Sequence, residues 1–314
     1  MSHPINCTKE SKYWMRRLFN WADKHQLPEL TWYESINDET MEYNGLWHGF
    51  PRDERQLLAM TVLNLDWHDL AELPEELGNL TQLVEISINK CPQGLQILPE
   101  PATDNYLTVM PEWLFDLPQL RRIDLGGNAI RTIPSNIGRL TKLESLHLAE
   151  NAISDIPNTL GLCTRLTLLN LRLNEIKSLP VEIEGCKQLK FLSIEQNLFT
   201  QFPQEIYGCK RLESLLLSSN RIDTIPRGLE QLQHLTDLEL IDNLLSAYPE
   251  EINALSNLKW LCLSYNCFDD ISASFDSSHT IDYFDLVEVN HFAPLIHHND
   301  EYEIYKKRTI KLLD

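Results

Sequence analysis

A 23-residue period runs through the middle of this 314-residue chain. Within each period the residues follow the pattern L-x-x-[LI]-x-[LI]-x-x-N-x-[LIF]-x-x-[LIFY]-P. Successive units open at Leu120, Leu143, Leu166, Leu189, Leu212 and Leu235. A period of this length indicates small structural units that cannot bury their apolar faces alone and must stack on their neighbours.

The first six residues of each unit have the pattern of a short strand. Their fourth and sixth positions are apolar, and residues two apart point to the same side of a strand. We expect such strands to stack in parallel, about 4.8 Å apart. The recurring asparagine follows the strand, where an inward carboxamide can pair with backbone groups that have lost their ladder partners. The recurring proline suits the first turn of a short helix or 3₁₀ turn on the opposite side.

The repeated L-x-x-L-x-L-x-x-N-x-L motif resembles the leucine-rich repeat. This resemblance implies an α/β fold: a curved solenoid, or horseshoe, with parallel strands on its concave face. It also implies a helical N-terminal cap and a small C-terminal cap. The 23-residue units with leucine and proline at their turn are similar to those of intracellular Ras-binding scaffolds and of many bacterial proteins. The aromatic N-terminal region looks more like the bacterial set, which includes effectors injected into host cells.

The repeats divide the chain into three parts. Nine units span residues 60–275, residues 1–59 form an N-terminal cap, and residues 276–314 form a C-terminal cap. Solenoid ends expose apolar surface that a cap must cover. In the C-terminal part, residues 281–289 alternate like a closing strand. Residues 300–313 place acidic side chains first and basic ones late, as a helix dipole prefers.

The N-terminal part is rich in aromatic residues. Residues 12–25 place two tryptophans and a leucine at helical spacing, which predicts a helix. Residues 29–50 carry five further aromatic side chains without a regular period, and we expect them to be irregular. Pro51-Arg52-Asp53 resembles a helix start. We interpret the tryptophans as packing residues that plug the first coil rather than as a ligand pocket.

The second unit contains 14 residues more than the repeat, within residues 92–106. If Leu107 and Met110-Pro111 supply the turn motif, the insertion leaves the solenoid at the C-terminal edge of the strand. If Leu98-Pro99 supplies it, most of the insertion emerges on the convex side. We favour the first placement because the residues after Pro111 complete the unit without a gap. Insertions in repeats often map to the binding face.

The composition narrows the classes of partner. A formal net charge of −19 and an isoelectric point near 4.9 argue against a nucleic-acid partner, because phosphate contacts need Lys and Arg. They favour a protein partner with a basic or mixed apolar and basic surface. No apolar run reaches the roughly 18 residues of a membrane span, and the first residues lack the pattern of a secretory signal. We therefore expect no membrane partner. We also expect the protein to be a monomer.

The seven cysteines do not indicate disulfides. Cys163, Cys186 and Cys209 share one column of the repeat, where other units carry leucine, and we expect them to be buried thiols. Cys91 stands in the asparagine column, a substitution that the motif permits. This usage indicates a reducing compartment: the cytoplasm of the producing cell or of a host cell.

No constellation of residues indicates catalysis, a cofactor or a metal site. Gly126-Gly127 lacks the spacing and the lysine of a phosphate loop. Cys262 and Cys267 have no companion ligands, and three histidines before Asp300 fit a solvated loop better than a metal site. His68 stands in the asparagine column, where we interpret it as a turn residue.

The third and fifth positions of each unit point out of the core, the eighth lies at the exit of the strand, and together they define the candidate binding surface. Apolar side chains gather in the central units, and acidic side chains flank two aromatic rings near the C-terminal end. Apolar anchors beside charges of one sign are typical of protein-binding patches. The candidate partner-binding residues are Arg122, Glu150, Leu168, Leu173, Phe191, Leu216, Asp237, Glu239, Asp242, Trp260 and Tyr265.

These observations predict a non-enzymatic protein that recognises another protein through its concave face. A bacterial effector with a host target and a cytosolic scaffold both fit. The alternative is an enzyme, or the substrate-receptor arm of a larger enzyme such as a ubiquitin ligase, with catalysis in a cap or a further domain. Residues 300–314 resemble type IV secretion substrates in their acidic block and near-terminal leucines. An ordinary capping helix explains the same residues.

Overall fold

The computed structural model describes residues 9–36, 43–66, 68, 70–89, 106–268 and 281–286, with the backbone alone described for residues 9–12, 31–36 and 43–48. The chain begins with a helix, an antiparallel hairpin and a second short helix. These elements are α1 (Lys9–Lys24), β1 (Thr31–Ile36), β2 (Tyr43–His48) and α2 (Glu54–Leu58).

A ten-stranded parallel sheet follows, with strand order identical to sequence order. The strands are β3 (Val62–Asn64), β4 (Glu85–Ser87), β5 (Arg122–Asp124), β6 (Ser145–His147), β7 (Leu168–Asn170), β8 (Phe191–Ser193), β9 (Ser214–Leu216), β10 (Asp237–Glu239), β11 (Trp260–Cys262) and β12 (Tyr283–Asp285). Their middle residues are buried leucine, isoleucine or, in β12, a half-buried phenylalanine. The predicted leucine-rich repeat solenoid is confirmed.

Short 3₁₀ turns return the chain along the opposite side. They span Glu75–Asn79, Glu112–Asp116, Ser135–Arg139, Asn158–Leu162, Val181–Gly185, Gln204–Gly208, Leu229–Gln231 and Glu250–Ala254. All but Leu229–Gln231 start directly after a proline with φ between −63° and −75°. The predicted use of proline at the turn is confirmed, since its fixed φ suits this position.

The asparagine column forms a buried ladder of hydrogen bonds. In Asn174, the side-chain Nδ2 donates to the carbonyl oxygens of Leu148 at 2.9 Å and Leu171 at 3.1 Å, and its Oδ1 accepts from the backbone N–H of Ile153 at 2.9 Å. Each of these asparagines thus joins its own unit to the preceding one. Equivalent carboxamides with the same bonding pattern are Asn128, Asn151, Asn197, Asn220, Asn243 and Asn266.

The residue before each of these asparagines adopts the left-handed backbone conformation. Positive φ values between 52° and 65° occur at Gly127, Glu150, Leu173, Gln196, Ser219, Asp242 and Tyr265. Each of these N–H groups from Gly127 to Asp242 donates to the next unit; that of Leu173, for example, reaches the carbonyl of Glu195 at 2.9 Å. The conformation costs a non-glycine residue roughly 1–2 kcal/mol. It turns the chain out of the strand so that the following carboxamide points inward.

The three repeat-column thiols are buried, as predicted. Cys163, Cys186 and Cys209 are fully inaccessible, and the Sγ of each lies 3.4–3.5 Å from a carbonyl oxygen of the preceding unit. Burial raises their pKa values to about 12, about 12 and about 11. Cys262 is also buried and Cys267 is exposed; among the described cysteines all are free thiols.

The N-terminal cap differs in part from the expectation. The predicted helix is present as α1, with Leu18 fully buried and Trp21 in edge-to-face contact with Phe50 at 5.9 Å. The prediction that residues 29–50 are irregular was wrong. Within that range β1 and β2 pair in a regular antiparallel register. Alternating extended residues on both sides of residues 37–42 form this hairpin. α2 begins as predicted, with Asp53 capping the N–H groups of Arg55 and Gln56.

At the C-terminal end, β12 extends the sheet beyond the last repeat, as the expected closing strand. Tyr283 and Asp285 lie in register with the third and fifth positions of β11. The expected helix over residues 300–313 and the three histidines before it lie outside the described residues.

The chain re-enters the second unit at Leu107. Leu107 and Met110 are buried, and Pro111 starts the following 3₁₀ turn. The N–H of Leu107 bonds to Asn128 Oδ1 at 3.2 Å, as that of Ile130 does to Asn151 one unit later. Leu107 and Met110-Pro111 therefore supply the turn motif of this unit. Residues 90–105 lie outside the described residues.

Replacing Asn174 by alanine should lower the free energy of unfolding by about 1–3 kcal/mol, because buried carbonyl and N–H groups lose their partners. Urea denaturation followed by circular dichroism measures the change. Asn158→Ala is the matched control, since Asn158 is exposed and bonds only a carboxylate at the surface. Equal midpoints for the two variants would contradict a stabilising ladder.

Three thiols should react with a maleimide at least on the order of 100-fold more slowly in the native protein than in denaturant, because buried protonated thiols are inert. They are Cys163, Cys186 and Cys209. The exposed Cys267 provides an internal standard that should label at once. Mass spectrometry of peptides from a labelling time course identifies each site. Labelling of the three at the rate of Cys267 would rule out the proposed burial.

Candidate functional site

The parallel register arranges the third and fifth positions of successive units in two straight rows on the strand side of the sheet, here called the concave face. From β7 to β12 the third-position row is Leu168, Phe191, Ser214, Asp237, Trp260 and Tyr283. The fifth-position row is Asn170, Ser193, Leu216, Glu239, Cys262 and Asp285. The sheet thus brings together residues that lie far apart in sequence.

The apolar candidates lie on neighbouring strands. Leu168 and Phe191 are direct register partners, and Leu216 lies opposite Ser193 on the next strand. Leu173 follows β7 in the left-handed position. All four of these apolar side chains are half-buried, which leaves part of each at the surface of the concave face.

Two aromatic rings stack at the C-terminal end of the third-position row. The centroids of Trp260 and Tyr283 are 3.8 Å apart, with ring planes 13° from parallel. Trp260 keeps 39% of its surface exposed, and Asp237 is its register partner on the other side. The candidate Tyr265 follows β11 in the left-handed position. Sequence reasoning found Trp260 and missed Tyr283, because β12 lies outside the repeat.

Carboxylates crowd around Glu239 in the fifth-position row. The pKa of Glu239 is raised from 4.5 to about 7, first by burial and then by the negative charges of Glu195, Asp237 and Asp285 in that order. Crowded carboxylates disfavour ionisation because like charges repel where water screens them poorly. The concave face is therefore strongly acidic beside its aromatic end.

The seventh position supplies residues that the sequence analysis did not include. Glu195 is buried, and burial raises its pKa, while Arg172 and a hydrogen bond donated by the Ser193 hydroxyl at 3.1 Å oppose the rise. Ser218 occupies the same position one unit later and is 2% exposed. Positions three, five and seven point to one side of an extended chain, so the alternation itself was the available signal.

Two candidates near the N-terminal half already have partners within the chain. Arg122 forms an ion pair with Glu85 at 3.1 Å, and Glu150 forms one with Arg172 at 3.3 Å. Both pairs link adjacent units across the concave face. Arg122 lies on β5, three strands from Phe191, so the structure does not bring it into the acidic and aromatic end.

Other kinds of site find no support in the described residues. His68 is a turn residue, as predicted, with its Nδ1 2.9 Å from the carbonyl oxygen of Asp66. No three histidine, cysteine or acidic side chains in the described ranges lie close enough to share a metal ion. Among the same residues, no helix has the length and apolar character needed to cross a membrane.

Comparisons with known proteins agree with this architecture. Models of the leucine-rich repeat match residues 103–153, 141–199 and 211–232. No curated protein matches the chain at a significant level. The fold and the repeat define a leucine-rich repeat protein.

Several solved structures share the fold. A leucine-rich repeat protein of Leptospira interrogans, LIC12759, is 28% identical with a TM-score of 0.61, over 76% of this chain and 66% of that one. An internalin of Listeria monocytogenes, inlF, is 26% identical with a TM-score of 0.60, over 74% of this chain and 64% of that one.

The ectodomain of the Arabidopsis thaliana receptor kinase GASSHO1/SCHENGEN3, solved in complex with CASPARIAN STRIP INTEGRITY FACTOR 2, is 28% identical with a TM-score of 0.60, over 73% of this chain and 27% of that one. The chain thus spans less than two thirds of the length of these three structures. The solenoid is the feature that these three structures share with this chain.

Replacing Glu239 by glutamine should stabilise the protein at pH 8 by about 1–3 kcal/mol and have little effect near pH 4.5. The folded pKa of Glu239 is raised from 4.5 to about 7, so its ionisation penalty is absent below pH 4.5 and fully present above pH 7. Wild-type stability from this group therefore falls as pH rises through that window.

Urea denaturation of both proteins at pH 4.5 and 8 measures this difference. Glu175→Gln, at an exposed position after the asparagine of its unit, is the control and should show no pH-dependent gain. A Glu239→Gln variant less stable than wild type at pH 8 would contradict the crowding of carboxylates.

Proposed function

We propose that this protein binds another protein through the central and C-terminal part of its concave face and catalyses no reaction on it. The observation that carries the proposal is a single row on the concave face that contains half-buried Leu168 and Phe191 and, three strands after Phe191, Trp260, which is 39% exposed. Apolar and aromatic anchors of this kind supply most of the energy of protein interfaces.

The dimensions of the surface favour a polypeptide over a small molecule. From β7 to β12 the rows cross six strands, which is roughly 24 Å at the spacing of a sheet. The surface is a face of a sheet rather than an enclosed cleft, and small-molecule sites are usually concave cavities that bury most of the ligand. A folded partner or an extended segment can contact the apolar and acidic parts together.

The charges define the complementary partner surface. Asp237, Glu239, Asp242 and Asp285 place negative charge beside the aromatic pair, and the whole chain carries a formal net charge of −19. A basic or mixed apolar and basic surface is therefore the matching chemistry, and charge complementarity accelerates association. Leucine-rich repeat proteins are typically non-catalytic binding scaffolds, which supports recognition as the function.

We further propose that the protein is a bacterial effector that works in the reducing cytoplasm of a host cell. Similarity to bacterial proteins of Leptospira and Listeria supports a bacterial setting. The free thiols in the described residues support a reducing compartment. A translocation reporter fused to the N-terminus, with and without residues 300–314, tests delivery; loss of delivery on truncation supports a signal in the tail.

Replacing Phe191 or Trp260 by alanine should each weaken partner binding by about 2 kcal/mol, or roughly 30-fold, without unfolding the chain. Added salt should also weaken binding, because the acidic surface steers a basic partner. Affinity capture from host-cell lysate identifies the partner, and titration calorimetry with the purified partner measures the change.

Leu162→Ala and Val181→Ala are matched controls, because these apolar residues are 57% and 62% exposed on the turn side of the solenoid. Denaturation curves show whether each variant is folded. Loss of binding in the turn-side variants, with unchanged binding in the two concave-face variants, would move the interface to the convex side and reject the proposal.

A further inference from the structure

Glu239 lies among other carboxylates on the C-terminal part of the concave face. It is half-buried on β10, and Asp237 lies two residues before it on the same side of the strand. Asp285 lies in the same row two strands away, because both residues are in register with Cys262. Glu195 lies two units earlier and is 9% exposed. Three further carboxylates thus act on Glu239 from three parts of the sheet.

Positive charges do not offset this group of carboxylates. Among the described residues, no lysine or arginine forms an ion pair with Asp237, Glu239 or Asp285. The charges that act on Glu239 are all negative. Ionisation of Glu239 therefore adds a charge to a surface that is already acidic.

The other groups that face Glu239 do not titrate near neutral pH. On β11 its register partner is Cys262, a thiol whose pKa is raised chiefly by burial. On β12, burial likewise raises the pKa of the Tyr283 phenol. On β9 the register partner is Leu216, which has no ionisable group. Around Glu239, a change of charge between pH 6 and 8 therefore falls on the carboxylates.

Carboxylates that interact in a partly buried place do not all ionise at neutral pH, because burial and like charges both favour the protonated form. Glu239 bears the charges of the other three, and its pKa is raised to about 7. Burial also raises the pKa of Glu195. A small change of pH around neutrality therefore changes the charge of the surface that we propose for partner binding.

We infer that Glu239 is a pH-sensitive switch of this surface: its ionisation strengthens the binding of a basic partner, and its protonation weakens it. The inference rests on the proposed function and adds the regulation of that site. A cation that docks beside Glu239 favours the ionised form, so the partner displaces a proton when it binds. Affinity for a basic partner therefore falls as the pH drops from 8 to 6.

Carbon-13 NMR of the full chain, labelled at the glutamate side-chain carboxyls, observes the switch without any partner. The resonance of Glu239, identified by its absence in Glu239→Gln, should titrate with a midpoint of about 7. Glu195→Gln should move this midpoint to lower pH, because Glu195 is the charge that acts most strongly on Glu239. Asp285→Asn should move it less. A wild-type midpoint near the ordinary glutamate value of about 4.3 would overturn the switch.

Fluorescence anisotropy with an N-terminally labelled nona-lysine peptide measures the effect on binding, at a constant ionic strength of about 150 mM. The lysine side chains stay charged from pH 6 to 8, so the probe itself does not titrate. Wild type should bind the peptide about fivefold more tightly at pH 8 than at pH 6.

Two matched variants assign this pH dependence. Glu239→Gln should bind at both pH values about as wild type does at pH 6, with a remaining difference of at most about twofold from histidines that titrate in the same range. Glu175→Gln, the same change at an exposed position after the asparagine of its unit, should keep the wild-type ratio. Circular dichroism at both pH values confirms that each variant is folded.

Wild-type pH dependence in Glu239→Gln, or equal affinity of wild type at pH 6 and 8, would overturn the switch. A protein partner whose binding depends on Phe191 and Trp260 but not on pH would overturn the switch and leave the proposed function standing. Titration of Glu239 near pH 7 with pH-dependent peptide binding, but no protein partner on the concave face, would support the switch and reject the proposed function.

Discussion

The structure depends on how the backbone hydrogen-bonding groups are satisfied at the end of each strand. A three-residue strand leaves its backbone groups without ladder partners as soon as the chain turns, and buried unpaired groups are costly. Asn174 and its equivalents satisfy carbonyls of two units and one N–H with a single carboxamide. The left-handed residue before each asparagine makes this possible and itself donates to the next unit. Strain of roughly 1–2 kcal/mol per unit is thus balanced by hydrogen bonds between units.

The repeat explains why much of the fold was predictable. Columns that recur every 23 residues identify the strands, the inward asparagines, the proline-led turns and the buried thiols, because each has one physical role in every unit. Equal intervals also place Leu168 beside Phe191 and Asp237 beside Trp260, and the strand register agrees. Because the units stack in register, two residues that are one period apart in the sequence lie next to each other on adjacent strands.

Features that do not recur were the ones missed. The hairpin β1–β2 occurs once, and six residues separate its strands, so no short turn motif announces it. Tyr283 belongs to a strand after the last unit, and no column predicts its stacking on Trp260. Glu195 was omitted for another reason: the seventh position is concave by the same alternation as the third and fifth, but it lies beyond the three-residue strand. Its burial and its interaction with Glu239 depend on neighbours in other units.

The acidic end of the concave face opposes stability, and the solenoid explains how the chain tolerates it. Burial, together with the charges of Glu195, Asp237 and Asp285, raises the pKa of Glu239 to about 7. In a stacked repeat each unit interacts with its nearest neighbours, so this penalty falls on units six to nine and on the closing strand. Glycine or serine would satisfy the strand geometry at these positions without repulsion, as Ser145 and Ser214 do in other units. Carboxylates held together at a cost beside an aromatic pair match the basic partner surface that we propose for this end of the concave face.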